Sequence, residues 1–413
     1  MNGQPTDDVI EKIRDIPIYQ DSLASGHFPV LDVPELSRGF PGNWMTPRLA
    51  TALEDGEAQF FLATGPNHTR MRIIQPPHFL LRWYYHLWRN HPDIARTWES
   101  GCRRVSLTSV LATEHVSRAN AARRGVEPER APALTDRWLD ERTCYLNLRL
   151  DPARWTREDV LRMLSEIDQA RSTHPQGWYH LDCSGYHLAH LVRKVEAWGL
   201  EDLFAQPASI IHTYEYTPMN VRRFLRRRFA CPIIDLFGST ELGYLYYSDK
   251  EERYWPHLDG MSVELLPVPG GAMQQLIVTS MRNPYMPLVR YRSGTCVRTL
   301  DGTPDPSAIT EFCGQFENLL STPNGPIAQG DLDRHIASAS PRIFLRQLRL
   351  HGAAEATLLY TTFTGEPLGD TEKKSLRQST GELTGRICRV EHRTRIPIGP
   401  SGKYAWLTPS SRT

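Results

Sequence analysis

Two short segments carry residue types that could bind and activate a phosphate compound. Residues 235–243, DLFGSTELG, follow an apolar run and combine glycines with two hydroxyls and a carboxylate. The glycines permit close backbone approach to a flat ligand, and Glu241 offers the hard oxygen that suits Mg²⁺. Residues 396–403, IPIGPSGK, place Lys403 after a Pro/Gly-rich stretch, where an ammonium could be directed at an oxyanion or a phosphate. The alternatives are a tight turn with a surface glutamate and an ordinary loop.

Lysine is rare in this chain, which makes each lysine informative. The chain has 48 basic residues, and all but six of them are arginine. Lysine and arginine differ in charge distribution and in chemistry, so a retained lysine in a Gly/Pro loop is a candidate for function. The six lysines are Lys12, Lys194, Lys250, Lys373, Lys374 and Lys403.

Two further segments could contact a nucleotide. Residues 63–70, ATGPNHTR, follow the apolar run QFFLAT, and small polar turns after strands can hold phosphate oxygens through backbone N–H groups. The other segment is residues 287–295, PLVRYRSGT, within the stretch that predicts strands. Neither segment is specific alone, because many strands end in such turns.

Composition limits the class of protein. The chain has 413 residues, 48 Lys+Arg against 47 Asp+Glu, and 40% hydrophobic residues. The balanced charge argues against a nucleic-acid binder, and the length predicts two folded units. No apolar run is long enough to span a membrane, and the first residues do not resemble a signal peptide. A cytoplasmic protein is expected.

The cysteines argue against a disulfide framework and against a zinc cluster. Their number is odd, they are scattered, and no C-x-x-C pair occurs. We expect ordinary buried thiols. They are Cys102, Cys144, Cys183, Cys231, Cys296, Cys313 and Cys388.

The elements that must position these segments follow an α/β pattern. Strands are predicted at QFFLAT, YLNLRL, GWYHLDCS, ASIIHTY and PIIDLFG, with helices at 156–172, 187–200 and 221–230 between the later ones. Alternation of this kind indicates a parallel sheet covered by helices. Residues 76–100 predict a buried aromatic helix, and 119–142 a surface loop or an exposed helix. Short polar helices and Pro-rich turns are expected in residues 1–50.

A β-rich region and a small carboxy-terminal α+β unit complete the prediction. Strands are expected at MSVELLPV, QQLIVTS, PLVRYRSGT and CVRTL. The pattern of predicted secondary structure changes between residues 314 and 322. We therefore predict a large domain over 1–316 and a small mobile one over 317–413. The Arg-rich helix 222–228 is interpreted as a solvated face.

The order of these segments resembles the adenylate-forming superfamily, and within it the phenylacetate–CoA ligase-like branch. FGSTELG is similar to the family's Y-G-S-T-E-x-G, and residues 270–295 to its G-x-L-x-x-T and P-x-x-R-Y-R-T-G-D. CGQFENLL resembles the hinge segment G-R-x-D-D, and IPIGPSGK the carboxy-terminal motif ending in G-K. The resemblance covers essentially the whole chain.

The resemblance implies a two-step reaction and assigns roles. ATP and a carboxylic acid give an acyl-adenylate, and a thiol such as coenzyme A, or an amine, then displaces AMP. Lys403 would act in adenylation, Thr240 would contact the α-phosphate, Glu241 would hold Mg²⁺ and Glu317 would be the hinge. The other implied contacts are Thr64, Gly65, Asn67, Phe237, Gly238, Ser239, Thr295 and Gln315 for the nucleotide, and His212, Tyr214, Glu215 and Gly243 for the acid.

Three positions depart from the family pattern. The aspartate expected to bind the ribose is Thr295, the hinge arginine is Gln315, and the phosphate loop has lost its second glycine. Replacing charge-assisted bonds with one neutral bond weakens nucleotide binding by on the order of 1.5–3 kcal/mol. ATP binding is therefore expected to be weakened or rearranged.

These observations predict an adenylating ligase for a small acid, with an aromatic acid favoured. Two alternatives stay open: an altered homologue that transfers or condenses acyl groups without ATP, and a non-catalytic binding protein on the same fold. The Arg-rich composition fits a bacterial biosynthetic protein. The oligomeric state is left open, with a homodimer as one option.

Overall fold

The computed structural model describes residues 4–64, 70–123, 125 and 137–409. The chain forms two compact units, each built from two separate stretches. The first unit comprises Met1–Leu87 and Leu236–Leu319, and the second comprises Trp88–Asp235 and Leu320–Thr413. Residues Gly65 and Asn67 of the predicted phosphate turn lie outside the described residues, as does half of the stretch 119–142.

Helices and strands alternate from β3 (Arg103–Leu107) to β7 (Ile233–Ser239), and a run of consecutive strands follows from β7 to β15 (Gly325–Ile327). The α-helices are α1 Asp7–Ile13, α2 Gln20–Ser25, α3 Val33–Ser37, α4 Pro47–Glu54, α5 Phe79–Asn90, α6 Ala95–Glu99, α7 Val110–Arg123, α8 Arg157–Ser172, α9 Gly185–Ala197, α10 Met219–Arg228, α11 Gln329–Ala339 and α12 Asp370–Thr384. The strands are β1 Gln59–Thr64, β2 Arg70–Gln75, β3 Arg103–Leu107, β4 Thr143–Tyr145, β5 Tyr179–Cys183, β6 Ser209–His212, β7 Ile233–Ser239, β8 Gly243–Ser248, β9 Tyr254–Pro256, β10 Met261–Pro267, β11 Gln274–Ser280, β12 Leu288–Thr299, β13 Ile309–Gln315, β14 Leu320–Thr322, β15 Gly325–Ile327, β16 Ile343–His351, β17 Glu355–Thr362, β18 Ile387–His392 and β19 Leu407–Pro409. The mixed α/β fold class predicted from the sequence is confirmed.

The first unit is dominated by antiparallel strands. Strands β10, β11, β12 and β13 form one sheet in that order, and β1 pairs with β2. The second half of β7 pairs antiparallel with β8, with Ser239 opposite Gly243, so FGSTELG is a hairpin. The four amino-terminal helices pack with these strands around one apolar cluster. Its largest fully buried members include Trp44, Tyr19, Ile13, Leu36, Leu49 and Ile73.

The second unit contains the parallel sheet. Strands β4, β3, β5, β6 and the start of β7 are parallel neighbours in that order. Helices α8, α9 and α10 connect them, as expected for parallel strands, which need long crossovers. The carboxy-terminal segment adds a second sheet of order β18, β17, β16, β19 and two helices, the α+β elements that the sequence predicted.

Helix α8 illustrates how local sequence fixes an element. Thr156 caps its first turn, and Asp159 returns the bond to the Thr156 N–H. Such a reciprocal cap satisfies two of the orphan donors at a helix start. The helix then buries one face at helical spacing, which is where its stabilisation arises. The buried residues are Val160, Met163, Leu164, Ile167 and Ala170.

Two strand predictions were wrong in detail. The predicted strand YLNLRL pairs only through Tyr145, after which the Asn147 side chain donates to the Thr108 carbonyl and accepts from Trp155 Nε1. These side-chain bonds replace ladder pairing. The segments PLVRYRSGT and CVRTL form one continuous strand, β12, because Gly294 at φ +76° makes a bulge instead of a turn.

Candidate active site

The candidate residues fall into two sets, one in each unit. Lys403, Tyr214, Glu215 and His212 belong to the second unit, and the motif FGSTELG with Thr295 and Gln315 belongs to the first.

Strand β6 of the second unit ends at His212, and the chain then turns sharply. Thr213 N–H donates to the Cys183 carbonyl at 2.9 Å, and Tyr214 has the positive φ of 80°. A non-glycine residue in this region is strained and is often found at functional sites. The turn places the Tyr214 and Glu215 side chains at the carboxyl end of the parallel strands, where ligands bind in α/β folds.

Lys403 is brought to this turn by a tight loop. Gly402 N–H donates to the Gly399 carbonyl, and Gly399 N–H donates to the Lys403 carbonyl, both at 2.9 Å. The Lys403 Nζ lies 4.8 Å from the centre of the Tyr214 ring, a cation–π distance. The Tyr214 hydroxyl donates to the Ser401 carbonyl at 2.5 Å. The loop is therefore fixed on the same turn that holds the predicted acid-binding residues.

Gly402 is required for this close approach. A Cβ at this position would lie 2.2 Å from Ser109 Oγ, and the residue has φ +74°. Only glycine adopts that conformation without cost. Ser109 is buried and lies between β3 and α7. Sequence reasoning missed Ser109, although its place directly after a buried strand could have indicated it.

Glu215 connects the turn to the loop that carries Lys403. Its carboxylate accepts the Ser184 hydroxyl at 2.7 Å and the Tyr404 backbone N–H at 3.1 Å, and only 6% of the side chain is exposed. Burial raises the pKa of Glu215 to about 7, while the bonds from Ser184 and Tyr404 and the charge of Lys403 oppose this. Ser184 caps helix α9 and was also missed by the sequence prediction.

The surroundings of Glu215 are aromatic and well packed. Tyr404 OH lies 3.1 Å from His190 Nε2, and the Tyr404 ring lies 4.8 Å from that of Tyr186. His187 Nδ1 lies 4.0 Å from Glu215, and burial lowers the pKa of His187 to about 3. A neutral imidazole adds no positive charge beside the carboxyl, whereas the charge of Lys403 lowers the pKa of Glu215.

His212 has a different environment from Tyr214 and Glu215. Its Nδ1 lies 3.3 Å from Asp235, its register partner on β7, and the residue is 3% exposed. Asp235 also binds Arg222 at 2.7 Å. The structure thus places His212 among packed side chains of the sheet, and its predicted contact with the acid stays a prediction.

In the first unit, the FGSTELG hairpin is closed by two glycines. A Cβ on Gly238 would lie 2.2 Å from the Gly243 carbonyl, and Gly243 has φ +77°. Residues 240–242 form the loop between the paired strands, so Thr240 and Glu241 stand at its tip. The glycines were predicted to let the backbone approach a ligand closely. In the structure they let the two strands of the hairpin approach each other.

Glu241 accepts a hydrogen bond from the Tyr291 hydroxyl at 3.1 Å. Burial and the nearby carboxylates of Glu241, Asp32 and Glu317 hold the pKa of Tyr291 well above its usual value, so the phenol remains a donor. The bond orients a single carboxylate. That donor set fits Mg²⁺, which keeps water ligands and is completed by phosphate oxygens.

Ser239 and Phe237, the predicted adenine contacts, behave differently. The Ser239 hydroxyl is buried and has no hydrogen-bond partner among the described residues. Buried hydroxyls are normally satisfied, so this atom fits a ligand contact. The Phe237 ring instead stacks on Phe312, with ring centres 3.9 Å apart, which gives it a packing role.

Thr295 and Gln315 bind each other. They are opposite residues of β12 and β13, and Gln315 Nε2 donates to Thr295 Oγ1 at 3.2 Å. Thr295 is 4% exposed. The two departures from the family pattern are therefore coupled, because a neutral bond joins the positions where an aspartate and an arginine were expected.

Thr64 and Glu317 stand at the ends of strands. Thr64 is the last residue of β1, and its side chain is outside the described part of the chain. Glu317 is exposed in the single turn Phe316–Asn318 that follows β13. The chain crosses between the two units after Leu87, after Asp235 and after Leu319, and the predicted division at 316/317 stays a prediction.

The fold is that of known CoA ligases. A 2-hydroxyisobutyryl-CoA ligase in its postadenylation state, in complex with 2-HIB-AMP, matches with a TM-score of 0.65 at 12% identity, over 98% of this chain and 88% of that one. An anthranilate CoA ligase in complex with anthranoyl-AMP matches with a TM-score of 0.54 at 12% identity, over 84% and 65%.

An amide bond synthetase from Marinactinospora thermotolerans has the same fold. It matches with a TM-score of 0.51 at 13% identity, over 84% of this chain and 67% of that one. No family model matches the sequence, and neither does any curated protein. The likeness is therefore one of fold, and the chemistry must be argued from the residues. None of the described helices is both long and apolar enough to cross a bilayer.

Proposed function

We propose that the protein activates a small carboxylic acid with ATP as an acyl-adenylate and then transfers the acyl group to a thiol or an amine. The observation that carries this proposal is the position of Lys403, held over Tyr214 beside Glu215 at the carboxyl end of the parallel sheet. Lys403, one of the six lysines of the chain, thus lies beside the residues predicted to bind the acid. The fold of acyl-AMP-binding CoA ligases supports the same chemistry.

The reaction has two steps. A carboxylate oxygen of the acid attacks the α-phosphorus of ATP, the acyl–phosphate bond forms, and pyrophosphate leaves. The thiol or amine then attacks the acyl carbon, gives up its proton, and AMP leaves. The first step brings two anions together, so a positioned cation lowers its barrier.

Different residues contribute to different parts of this reaction. Lys403 balances the charge that develops between carboxylate and phosphate. Thr240 donates a hydroxyl to the α-phosphate, and Ser239, with its unpartnered hydroxyl, contacts the nucleotide. Mg²⁺ held by Glu241 would neutralise phosphate charge. As the family resemblance implies, Glu317 would be the hinge about which residues 317–413 turn between the two steps.

An aromatic acid is favoured as substrate. The ring of Tyr214 is half-buried beside Lys403, and an aryl ring can pack against it at offset or edge geometry. Coenzyme A and an amine both remain candidates for the acceptor. The cytoplasmic location, the homodimer and the phenylacetate–CoA ligase-like branch stay predictions.

The coupled pair Thr295 and Gln315 favours a second candidate. Because these side chains bind each other, the expected ribose contacts are weaker, and an ATP-independent acyl transfer or a binding function would tolerate this. Pyrophosphate release with Mg-ATP and a panel of aryl and alkyl acids separates the two. Acid-dependent release supports the ligase, and its absence across the panel, together with no ATP binding by calorimetry, supports the alternative.

A further inference from the structure

Two histidines and an aspartate of the first unit converge at a place separate from the candidate active-site residues. His86 lies on α5, while His257 and Asp259 lie in the loop after β9. One potential ligand atom from each lies within 4.8 Å of the other two. His86 Nε2 is 3.6 Å from Asp259 Oδ2, and the two imidazole rings have centres 5.3 Å apart.

Two of the three residues, His86 and His257, pack on a common neighbour, Trp83. Its ring makes edge contacts with His86 at 5.6 Å and with His257 at 6.0 Å between ring centres. The Arg282 guanidinium lies 3.9 Å over the same ring and donates to the backbone carbonyls of His257 at 2.7 Å and Asp259 at 2.8 Å. One arginine therefore fixes the backbone that carries two of the three side chains.

The donor set suits a transition-metal ion. Imidazole nitrogens and a carboxylate oxygen are the usual ligands of zinc, at about 2.0–2.2 Å. Such bond lengths place ligand atoms roughly 3.3 Å apart in a tetrahedral site, which small side-chain rotations can reach from 4.8 Å. His257 Nε2 is buried and has no hydrogen-bond partner among the described residues, so a ligand would satisfy it.

We propose that His86, His257 and Asp259 bind a divalent transition-metal ion of the Zn²⁺ class. The Asp259 side chain is 72% exposed and that of His86 36% exposed, so water completes the coordination from the solvent side. The positive charge of Arg282 opposes a cation here, but the three described hydrogen bonds of its guanidinium point to backbone carbonyls, including that of Tyr244. A carboxylate ligand offsets the remaining repulsion.

The proposed metal site is connected to the FGSTELG hairpin through Trp83. A Cβ on Gly243 would lie 3.3 Å from Trp83 Cδ1, so the tryptophan that packs on both histidines also packs on the hairpin. A metal ion would link α5 to the loop after β9 and immobilise Trp83 between them. Its role is structural, and it is distinct from the Mg²⁺ proposed at Glu241.

Cobalt titration of the full-length protein tests the proposal. After chelator treatment, Co²⁺ should bind at one equivalent with visible d–d absorption, raise the Tm, and be displaced by Zn²⁺. His86→Ala and Asp259→Asn should each lower the affinity by at least about tenfold. The matched controls are His27→Ala and Asp21→Asn, both exposed in the same unit, and should bind as the wild type does.

Two results would overturn the metal site. One is the absence of d–d absorption and of any Tm change in the wild type. The other is unchanged cobalt affinity in Asp259→Asn, which alters an exposed side chain and leaves its bonded backbone in place. Because these readouts do not use ATP or an acid, they are independent of the outcome of the pyrophosphate assay.

Discussion

Lys403 is the residue on which the proposed chemistry depends most. Its neighbours explain why: Tyr214 provides a ring face 4.8 Å from Nζ, and Glu215 anchors the next residue through the Tyr404 N–H. An ammonium held in this way loses little side-chain freedom when substrate binds. That is the preorganisation that makes electrostatic stabilisation effective.

Replacing this lysine should separate the two half-reactions. In Lys403→Ala, acid-dependent pyrophosphate release should fall by about 100-fold or more, the range for a removed preorganised group. Thiol or amine transfer from a preformed acyl-adenylate should persist. Lys373→Ala, on the surface of α12 next to Asp370, is the control and should behave as the wild type. Equal losses in both half-reactions would show that the lysine is not specific to adenylation.

The pair Thr295 and Gln315 explains the weakened nucleotide motif. In Thr295→Asp the carboxylate regains charge-assisted acceptor capacity toward ribose hydroxyls. The KM for ATP should fall by about tenfold, with a further fall when Gln315→Arg is added. Thr310→Asp, at an exposed position of β13, controls for added charge. Unchanged KM values in both variants would refute the ribose assignment.

Glu215 gives a testable pH dependence. Because burial raises its folded-state pKa from 4.5 to about 7, the folded protein holds this proton more tightly than the unfolded chain does. Glu215 therefore contributes on the order of 3 kcal/mol to the free energy of unfolding. This contribution is fully present below pH 4.5 and is lost as the pH rises toward 7.

Glu215→Gln imitates the protonated acid and should remove this dependence. The Tm of the wild type should therefore drop relative to that of the variant between pH 5 and pH 8 and stay level above. Glu355→Gln, whose side chain is 46% exposed at the start of β17, is the control. Parallel Tm curves for wild type and Glu215→Gln would mean that the carboxyl titrates normally.

At the scale of elements, much of the framework followed from the sequence. The strands ending at Cys183 and His212 and helix α8 were predicted, because apolar runs and a capping Thr156 are local signals. The contact between the Gly402 turn and Ser109 could not be predicted, because the two residues are nearly 300 positions apart in the chain. The bulge at Gly294 was missed because a glycine predicts a turn and a bulge equally well.

The loop that carries Lys403 can be tested through Gly402. In Gly402→Ala, the added Cβ meets Ser109 Oγ and the positive φ is strained. Pyrophosphate release should fall at least about tenfold because Lys403 is displaced. Gly365→Ala has the same strain at φ +86° but no atom within 4 Å, so it isolates the contact. Equal activity of the two variants would argue against a positioned loop.

At the scale of the whole chain, the two compact units do not follow the order of the sequence. The carboxy-terminal segment shares an apolar cluster with the parallel sheet, including Phe344, Leu345, Leu359, Ile396 and Tyr404. This explains how a lysine ten residues from the end reaches the turn after β6. The predicted domains 1–316 and 317–413 describe a functional division that remains to be tested.

Acid activation is the central claim, and acid-dependent exchange of labelled pyrophosphate into ATP measures it most directly. With Mg-ATP, we predict exchange with at least one aryl acid of the panel, its loss in Lys403→Ala and its retention in Lys373→Ala. Exchange that needs no acid, or that survives in full without Lys403, would contradict the proposed mechanism. Absence of exchange with every acid, while acyl transfer proceeds without ATP, would contradict the proposed function itself.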